Sequence, residues 1–292
     1  MPEPGQQVLR ARRPVAAEPL RRFLLAGVVP GAERHDPATG THSRVVPTGA
    51  GPVVVHVDLG RTAVVRTVRV RTAATALADV VPAVRRWLDL DADTDVPEAA
   101  LATDPVLGPL VAARPGLRVP RTVSGAETAL LTVLGQQVSL GAARTFAGRL
   151  VAAHGDPAGE GLTGFPRPAV LAAAGPDALR ATTGVTGARA RTLHVLASAL
   201  ADGLDRDAAA GDPRAAAAAH ADLLALPGIG PWSADHVALR VFGDSDAFLS
   251  TDLVLRRAMG GVPAREALAA AEAWRPWRGY ALLHLWTAAV FA

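Results

Sequence analysis

HADLLALPGIGPWSADHVALRVFGDSDAFLSTDLVLRRAM, residues 220–259, decides the fold. The pattern predicts a short helix that ends before Pro227-Gly228-Ile229-Gly230, and a second helix that begins at Pro231, where the fixed φ of proline is already helical. Because glycine permits φ > 0, we expect both glycines to let the chain reverse direction and expose the turn's backbone. The amides of such a hairpin, beside a helix N-terminus, form an anion site suited to a phosphate.

Four further segments accompany this hairpin, and together the five are distributed over most of residues 105–290. The five segments are ARPGLRVP (113–120), LGQQVS (134–139), LPGIGPWSADHVALR (226–240), FLSTD (248–252) and AEAWRPWRGYALLHLW (271–286). In this order they resemble the helix-hairpin-helix DNA glycosylase superfamily, in particular the bacterial alkylpurine (3-methyladenine II type) DNA glycosylases. The resemblance implies a mainly α fold, in which all-helical glycosylase domains follow a small α+β domain. It also implies DNA binding by the hairpin residues Leu226, Gly228, Ile229 and Gly230.

Asp252 lies at the start of a third predicted helix and matches the catalytic carboxylate of the family. A carboxylate at this position often serves only as a helix cap. Its place after a phosphate-binding hairpin favours a catalytic role, since one fixed anion can stabilise the oxocarbenium character that develops on a sugar when its base departs. We therefore predict that Asp252 is catalytic. Asp244 and Asp246, in the preceding loop, are interpreted as solvated turn carboxylates.

Three side chains match the family's base pocket, namely Trp232, His236 and Trp286. Trp286 is predicted to stack on a flipped base, and an aromatic ring gains cation–π energy over a positively charged base. Trp232 stands where the related glycosylase/lyases have their Schiff-base lysine. The alternative for both tryptophans is ordinary core packing. His236 and Leu253 stand where the family's best-known member has tyrosines, so we expect a less aromatic pocket.

Gln136 and Gln137 lie at the break between two predicted helices and match the element that fills the space left by a flipped nucleotide. The family's best-known member has leucine at the second position, where this chain has Gln137. The alternative is that these glutamines bind free backbone groups at a helix end.

The amino-acid composition excludes several kinds of bond and cofactor. The 292 residues contain no cysteine, which excludes disulfides and the iron–sulfur cluster of some superfamily members. All 30 basic residues are arginine, so no lysine can form a Schiff base with a sugar. No histidine pattern suits a metal, and we expect no cofactor. The only ion that the resemblance implies is a monovalent cation on the hairpin carbonyls.

The N-terminal region shows the signals of an antiparallel α+β unit. Residues 1–17 have no periodicity and are predicted to form a loose leader. Strands are predicted at 43–46, 52–58 and 62–71, and a helix at 74–91. In the family this position holds a domain like TATA-binding protein. Phe23 and Trp87 are the only Phe, Tyr or Trp residues of this region, so we expect few aromatics on its side of the cleft.

From residue 104 the pattern is almost purely helical. Thr122 or Ser124 is expected to cap one helix, and Ser139 the next. The predicted division is a leader (1–17), an α+β domain (18–103) and a helical glycosylase region (104–292) that contains the helix-hairpin-helix at 220–242.

These observations predict a monofunctional base-excision DNA glycosylase. It would flip alkylated purines out of double-stranded DNA and hydrolyse the N-glycosidic bond, acting as a monomer in the cytoplasm on the nucleoid. No run is long and apolar enough for a membrane span. The alternatives are a catalytically silent module that binds damaged DNA, and a glycosylase for oxidised bases. A lyase is disfavoured by the absence of lysine.

Overall fold

The computed structural model describes residues 4–204 and 212–290. Its N-terminal part is an antiparallel five-stranded sheet with the order β1-β5-β4-β3-β2. The strands are β1 (Pro4–Ala16), β2 (Glu33–Asp36), β3 (Thr41–Thr48), β4 (Gly51–Asp58) and β5 (Val64–Ala73). Helices α1 (Ala17–Ala26) and α2 (Leu77–Trp87) pack on the sheet around buried valines and leucines. The three sequence-predicted strands correspond to β3, β4 and β5.

Strand β1 corrects the prediction of a loose leader over 1–17. Residues 4–16 pair with β5, from Pro4 opposite Ala73 to Ala16 opposite Val64, with a register shift after Arg10. Leu9 and Ala11 are buried while Arg10 is exposed, which is the alternation of a half-buried strand. The prediction is therefore wrong for residues 4–16, because a long antiparallel pairing orders a segment that looks irregular alone. Residues 1–3 lie outside the described part.

The rest of the described chain is mainly helical. Its helices are α3 (Asp95–Leu101), α4 (Leu107–Ala113), α5 (Gly125–Leu134), α6 (Leu140–His154), α7 (Pro168–Thr183), α8 (Gly187–Ala201), α9 (Pro213–Ala225), α10 (Pro231–Val237), α11 (Leu253–Ala258), α12 (Ala264–Ala271) and α13 (Arg278–Val290). A small ribbon joins β6 (Pro157–Gly159) to β7 (Leu162–Thr163). The fold class is confirmed as mainly α, with an antiparallel α+β unit first. None of the helices in the described ranges is long and apolar enough to cross a membrane.

Capping residues set the helix boundaries that position the site. Ser124 and Ser139 cap α5 and α6, because their side-chain oxygens accept the amides of Glu127 and Ala142 at 3.3 and 3.2 Å. Each such cap contributes about 1 kcal/mol. Because α5 ends at Leu134 and α6 begins after Ser139, the α5–α6 break falls at residues 135–139, which contain both predicted wedge glutamines.

A core of fully buried leucines packs the helices together, including Leu130 on α5, Leu150 on α6 and Leu193 on α8. Burying one leucine contributes roughly 1.5–3 kcal/mol, so this core fixes the helices that carry the site. The sheet and the helices also join directly. Arg44 on β3 donates to Glu127 on α5 at 2.7 Å, and a cavity lies beside this contact.

Candidate active site and DNA interface

The hairpin connects α9 to α10, as the sequence predicts, but its two glycines differ. Gly228 has φ +85°, and an added Cβ would lie 1.9 Å from Thr192 Oγ1. Gly230 caps α10 with φ −101° and ψ 176°. The expectation of φ > 0 is therefore wrong for Gly230, because a residue before proline favours the extended region. A Cβ on Gly230 would meet no atom within 4 Å, so this position borders open space.

The hairpin presents unpaired backbone donors. Within the described chain, the amides of Gly228, Gly230 and Trp232 have no hydrogen-bond acceptor. The Ile229 amide donates to the Leu226 carbonyl at 3.1 Å, and the Ile229 side chain is buried. The turn is thus anchored by Ile229 and has free N–H groups on both sides of it. Such a cluster of amides is suited to a phosphate oxygen.

The two wedge candidates have different environments. Gln136 Nε2 donates to the Gly228 carbonyl at 3.0 Å and to Ser233 Oγ at 2.9 Å, while Arg189 donates to the Gln136 carbonyl. Gln137 is exposed, with a positive φ of 51°. Gln136 therefore braces the α5–α6 break against the hairpin. Gln137 is the side chain left available to contact DNA.

Asp252 caps α11 and accepts three hydrogen bonds. Its Oδ1 accepts from the Leu255 amide at 2.8 Å and from Trp286 Nε1 at 3.0 Å. Its Oδ2 accepts from Trp232 Nε1 at 3.0 Å. Two indole N–H groups and a helix N-terminus stabilise negative charge there and fix the carboxylate plane. The structure thus brings the predicted catalytic residue into contact with both predicted pocket tryptophans.

His236 completes this aromatic cluster. Its ring stacks on Trp232, with centroids 5.5 Å apart, and tilts against Trp286 at 6.5 Å. Its Nδ1 lies 3.0 Å from Thr132 Oγ1. Burial, assisted by the Arg240 charge, lowers the pKa of His236 to about 3. The imidazole is therefore neutral near physiological pH and adds no positive charge to the cluster.

A cavity of about 400 Å³ lies between the sheet and the helices. Its helical side includes Trp232, His236 and Trp286, and its sheet side includes Phe23 and Trp87. Both aromatics of the N-terminal part line the cavity, so its sheet side carries two aromatic rings. The volume and the ring-rich wall are typical of a pocket for a planar ligand.

The rival carboxylates take structural roles. Asp246 binds Arg278 through two contacts, at 2.8 and 2.9 Å, and also pairs with Arg275. Asp244 accepts the amide of Asp246 at 2.8 Å, as in a turn. Leu253, beside the catalytic candidate, is exposed. Across residues 4–204 and 212–290, no group of three or more His, Cys, Asp or Glu side chains could hold a metal ion.

Sequence reasoning missed several groups that line the cavity. These are Glu33 and Arg44 on β2 and β3, Glu127 and Thr132 on α5, and Arg240 in the π-helical turn after α10. They come from segments far apart in the chain, so no local motif marks them. The one sequence signal for these groups was on α5, where the helical spacing of Glu127, Leu131 and Thr132 indicates that the three side chains share one face of the helix.

Known proteins resemble this chain along nearly its whole length. A family model described as "AlkA N-terminal domain" matches residues 6–124. "Probable bifunctional transcriptional activator/DNA repair enzyme AlkA" of Mycobacterium tuberculosis is 43% identical over 288 residues, which is 96% of this chain but 56% of that protein. The chain thus spans little more than half the length of that relative. "DNA-3-methyladenine glycosylase 2" of Escherichia coli is 36% identical over 211 residues, covering 72% of this chain and 71% of that protein.

A solved structure shares the architecture. The "3-methyladenine dna-glycosylase from Archaeoglobus fulgidus" superposes with a TM-score of 0.83 at 21% identity, and the match covers 98% of each chain. This likeness shows that the α+β unit and the helical region are arranged alike in the two proteins.

Proposed function

We propose that this chain, which belongs to the AlkA (DNA-3-methyladenine glycosylase 2) family, is a base-excision repair glycosylase that releases alkylated purines from duplex DNA. The observation that carries the proposal is the setting of Asp252. Its carboxylate is held by two indole N–H groups and a helix amide, and both indoles line an aromatic cavity.

The chemistry follows from this fixed anion. As the bond between C1′ and the base nitrogen breaks, its electron pair leaves with the base and positive charge develops on the sugar. Asp252 stabilises that charge and orients a water molecule, whose oxygen bonds to C1′ while its proton is released. The products are the free base and an abasic deoxyribose. A preorganised charge of this kind is worth a factor of about a hundred to a thousand in rate.

The aromatic wall supplies substrate binding. A flipped purine stacks on Trp286 beside Trp232 and His236, and a base alkylated on a ring nitrogen carries a positive charge that an aromatic face attracts. Because His236 is neutral, it does not repel such a base. A cationic base is also a good leaving group, so a single carboxylate suffices.

The hairpin supplies DNA binding. The free amides around Ile229 grip one phosphate, and Gln137 occupies the gap that the flipped nucleotide leaves in the duplex. The carbonyls of Pro227 and Ile229 accept no hydrogen bond from the part of the chain that the structure describes, so they suit a monovalent cation. When bound, that cation would add positive charge beside the phosphate.

The reaction ends at the abasic site. The sequence contains no lysine, so no lysine amine can attack C1′ and open a route to strand cleavage. The test is to incubate the protein with methylated duplex DNA and to identify the released bases by chromatography. We expect free 3-methyladenine and 7-methylguanine, no adduct trapped by borohydride, and strand nicks only after alkali. Binding of lesion DNA without base release would contradict the proposal.

A further inference from the structure

The cavity has a charged end that the reaction above does not use. Glu33, Arg44 and Glu127 are only 9%, 6% and 7% exposed, and all three line the cavity. Arg44 lies 3.2 Å from Glu33 and 2.7 Å from Glu127, and its guanidinium stands 4.8 Å over the Trp87 ring. Two carboxylates thus share one cation. Such an arrangement is a costly way to build a core, because each buried charge loses its hydration.

Within this triad of Glu33, Arg44 and Glu127, Glu127 has a carboxylate oxygen that can accept a further hydrogen bond. Its Oε1 accepts from Arg44, while its Oε2 accepts no hydrogen bond from any residue in 4–204 or 212–290. Burial raises the pKa of Glu127, the charge of Glu33 adds to the effect, and Arg44 opposes it. A second cation placed in the cavity would satisfy the free oxygen and favour the ionised form.

The position of Glu127 connects this charge to the aromatic cluster. Glu127 and Thr132 lie on the side of α5 that lines the cavity. Thr132 contacts His236, which stacks on Trp232, the residue that binds Asp252. A base held by the aromatic cluster therefore occupies the same cavity as the Glu127 carboxylate.

The charged side chains that line the cavity indicate what the Glu127 carboxylate contributes to ligand binding. Four arginines line the cavity, namely Arg44, Arg121, Arg144 and Arg240, against the two glutamates. Without carboxylates, this wall would repel a positively charged base. With them, the wall presents two carboxylates to a cationic base held in the same cavity.

We propose that Glu127 is a specificity-determining residue that admits positively charged purines, its free carboxylate oxygen accepting a hydrogen bond from the amino edge of the flipped base. The inference rests on the proposed function and deepens it. Neutral purines gain less from this anion, so Glu127 sets the preference between the two classes.

The test compares release of a cationic and a neutral base by Glu127→Gln. Each duplex carries one 7-methylguanine or, at the same labelled position, one unmodified guanine, which has the same amino edge but no positive charge, and single-turnover rates are measured with enzyme in excess. The substitution keeps the shape and can still accept from Arg44. It weakens a buried ion pair of Arg44, so we expect a lower melting temperature, and the rates are compared at a temperature at which both proteins are folded. A hydrogen bond to a charged group is worth a factor of about 10 to 100, and the 7-methylguanine to guanine rate ratio should fall by this factor.

Two further variants separate specificity from structure. Glu127→Asp retains the charge and should retain most of the preference. Asp89→Asn removes a buried carboxylate that does not line the cavity and should leave the ratio unchanged. An unchanged ratio in Glu127→Gln, or an equal loss on both bases, would overturn the inference while leaving the glycosylase intact. Failure of the parent protein to release either base would instead refute the proposed function and, with it, this role.

Discussion

Replacing Asp252 by asparagine tests the catalytic role that we propose for its negative charge, and the hydrogen bonds of the carboxylate set the size of the effect on stability. The amide oxygen can keep the hydrogen bonds from the Leu255 amide and Trp286 Nε1. The amide nitrogen then faces Trp232 Nε1, so a donor meets a donor where the parent has a 3.0 Å hydrogen bond. One of three hydrogen bonds is lost, at a cost of roughly 1–3 kcal/mol in stability. The helix cap survives.

The rate should fall by much more than the stability change suggests, because the negative charge beside the sugar disappears. We expect single-turnover release of 7-methylguanine to slow by about a hundred- to a thousandfold. The loss should be larger for normal purines, whose departure needs more help. Binding to duplex DNA with an uncleavable lesion analogue, measured by fluorescence anisotropy, should change little. Asp244→Asn is the matched control and should keep the parent rate. Near-normal release by Asp252→Asn, or abolished release by Asp244→Asn, would refute the catalytic assignment.

Three other perturbations address the DNA interface and the pH response. Gly230→Leu should fold normally, because its Cβ enters open space. It should weaken binding to all duplexes and reduce the slope of the logarithm of the DNA association constant against the logarithm of the salt concentration by about 0.9. Binding titrations at several salt concentrations would measure both effects. Gln137→Ala should slow excision more than it weakens non-specific DNA binding, and equal loss in both assays would contradict a wedge role. Burial raises the pKa of Asp89 to about 6 from 3.8, so its contribution to stability is present below pH 4 and is lost as the pH rises through 6. Urea unfolding between pH 4 and 7 should show that loss, roughly 2–3 kcal/mol, and Asp89→Asn should abolish it.

The features that the sequence predicts are those encoded within a few residues. Pro231 after Gly230 sets the start of α10, and Ser124 and Ser139 set the starts of α5 and α6 through local caps. Asp252 is recognisable because a helix start and a distinctive five-residue segment coincide. Local rules of this kind hold whatever the rest of the chain does.

The features that the sequence does not predict depend on partners far along the chain. Strand β1 is ordered by pairing with β5, about sixty residues away. The arginines and prolines around Leu9 and Ala11 make the alternation of buried and exposed positions difficult to recognise in the sequence. The triad of Glu33, Arg44 and Glu127 joins β2 and β3 to α5, and Glu127 lies 83 residues after Arg44 in the chain. Glutamate and arginine usually lie on protein surfaces, so the sequence alone does not indicate that these three residues meet inside a cavity.

The contacts of the hairpin connect the proposed DNA-binding residues to the proposed catalytic carboxylate. Gln136 donates to the Gly228 carbonyl, so the hairpin that we propose binds a phosphate is joined directly to the α5–α6 break. Trp232 then follows Gly230 by two residues and donates directly to Asp252. A shift of the hairpin by a fraction of an ångström would therefore change the length of the Trp232–Asp252 hydrogen bond. The Asp252 carboxylate is therefore held by the same segment that we propose binds the DNA. Because no flexible linker separates the hairpin from Trp232, a displacement of the hairpin is transmitted directly to the carboxylate.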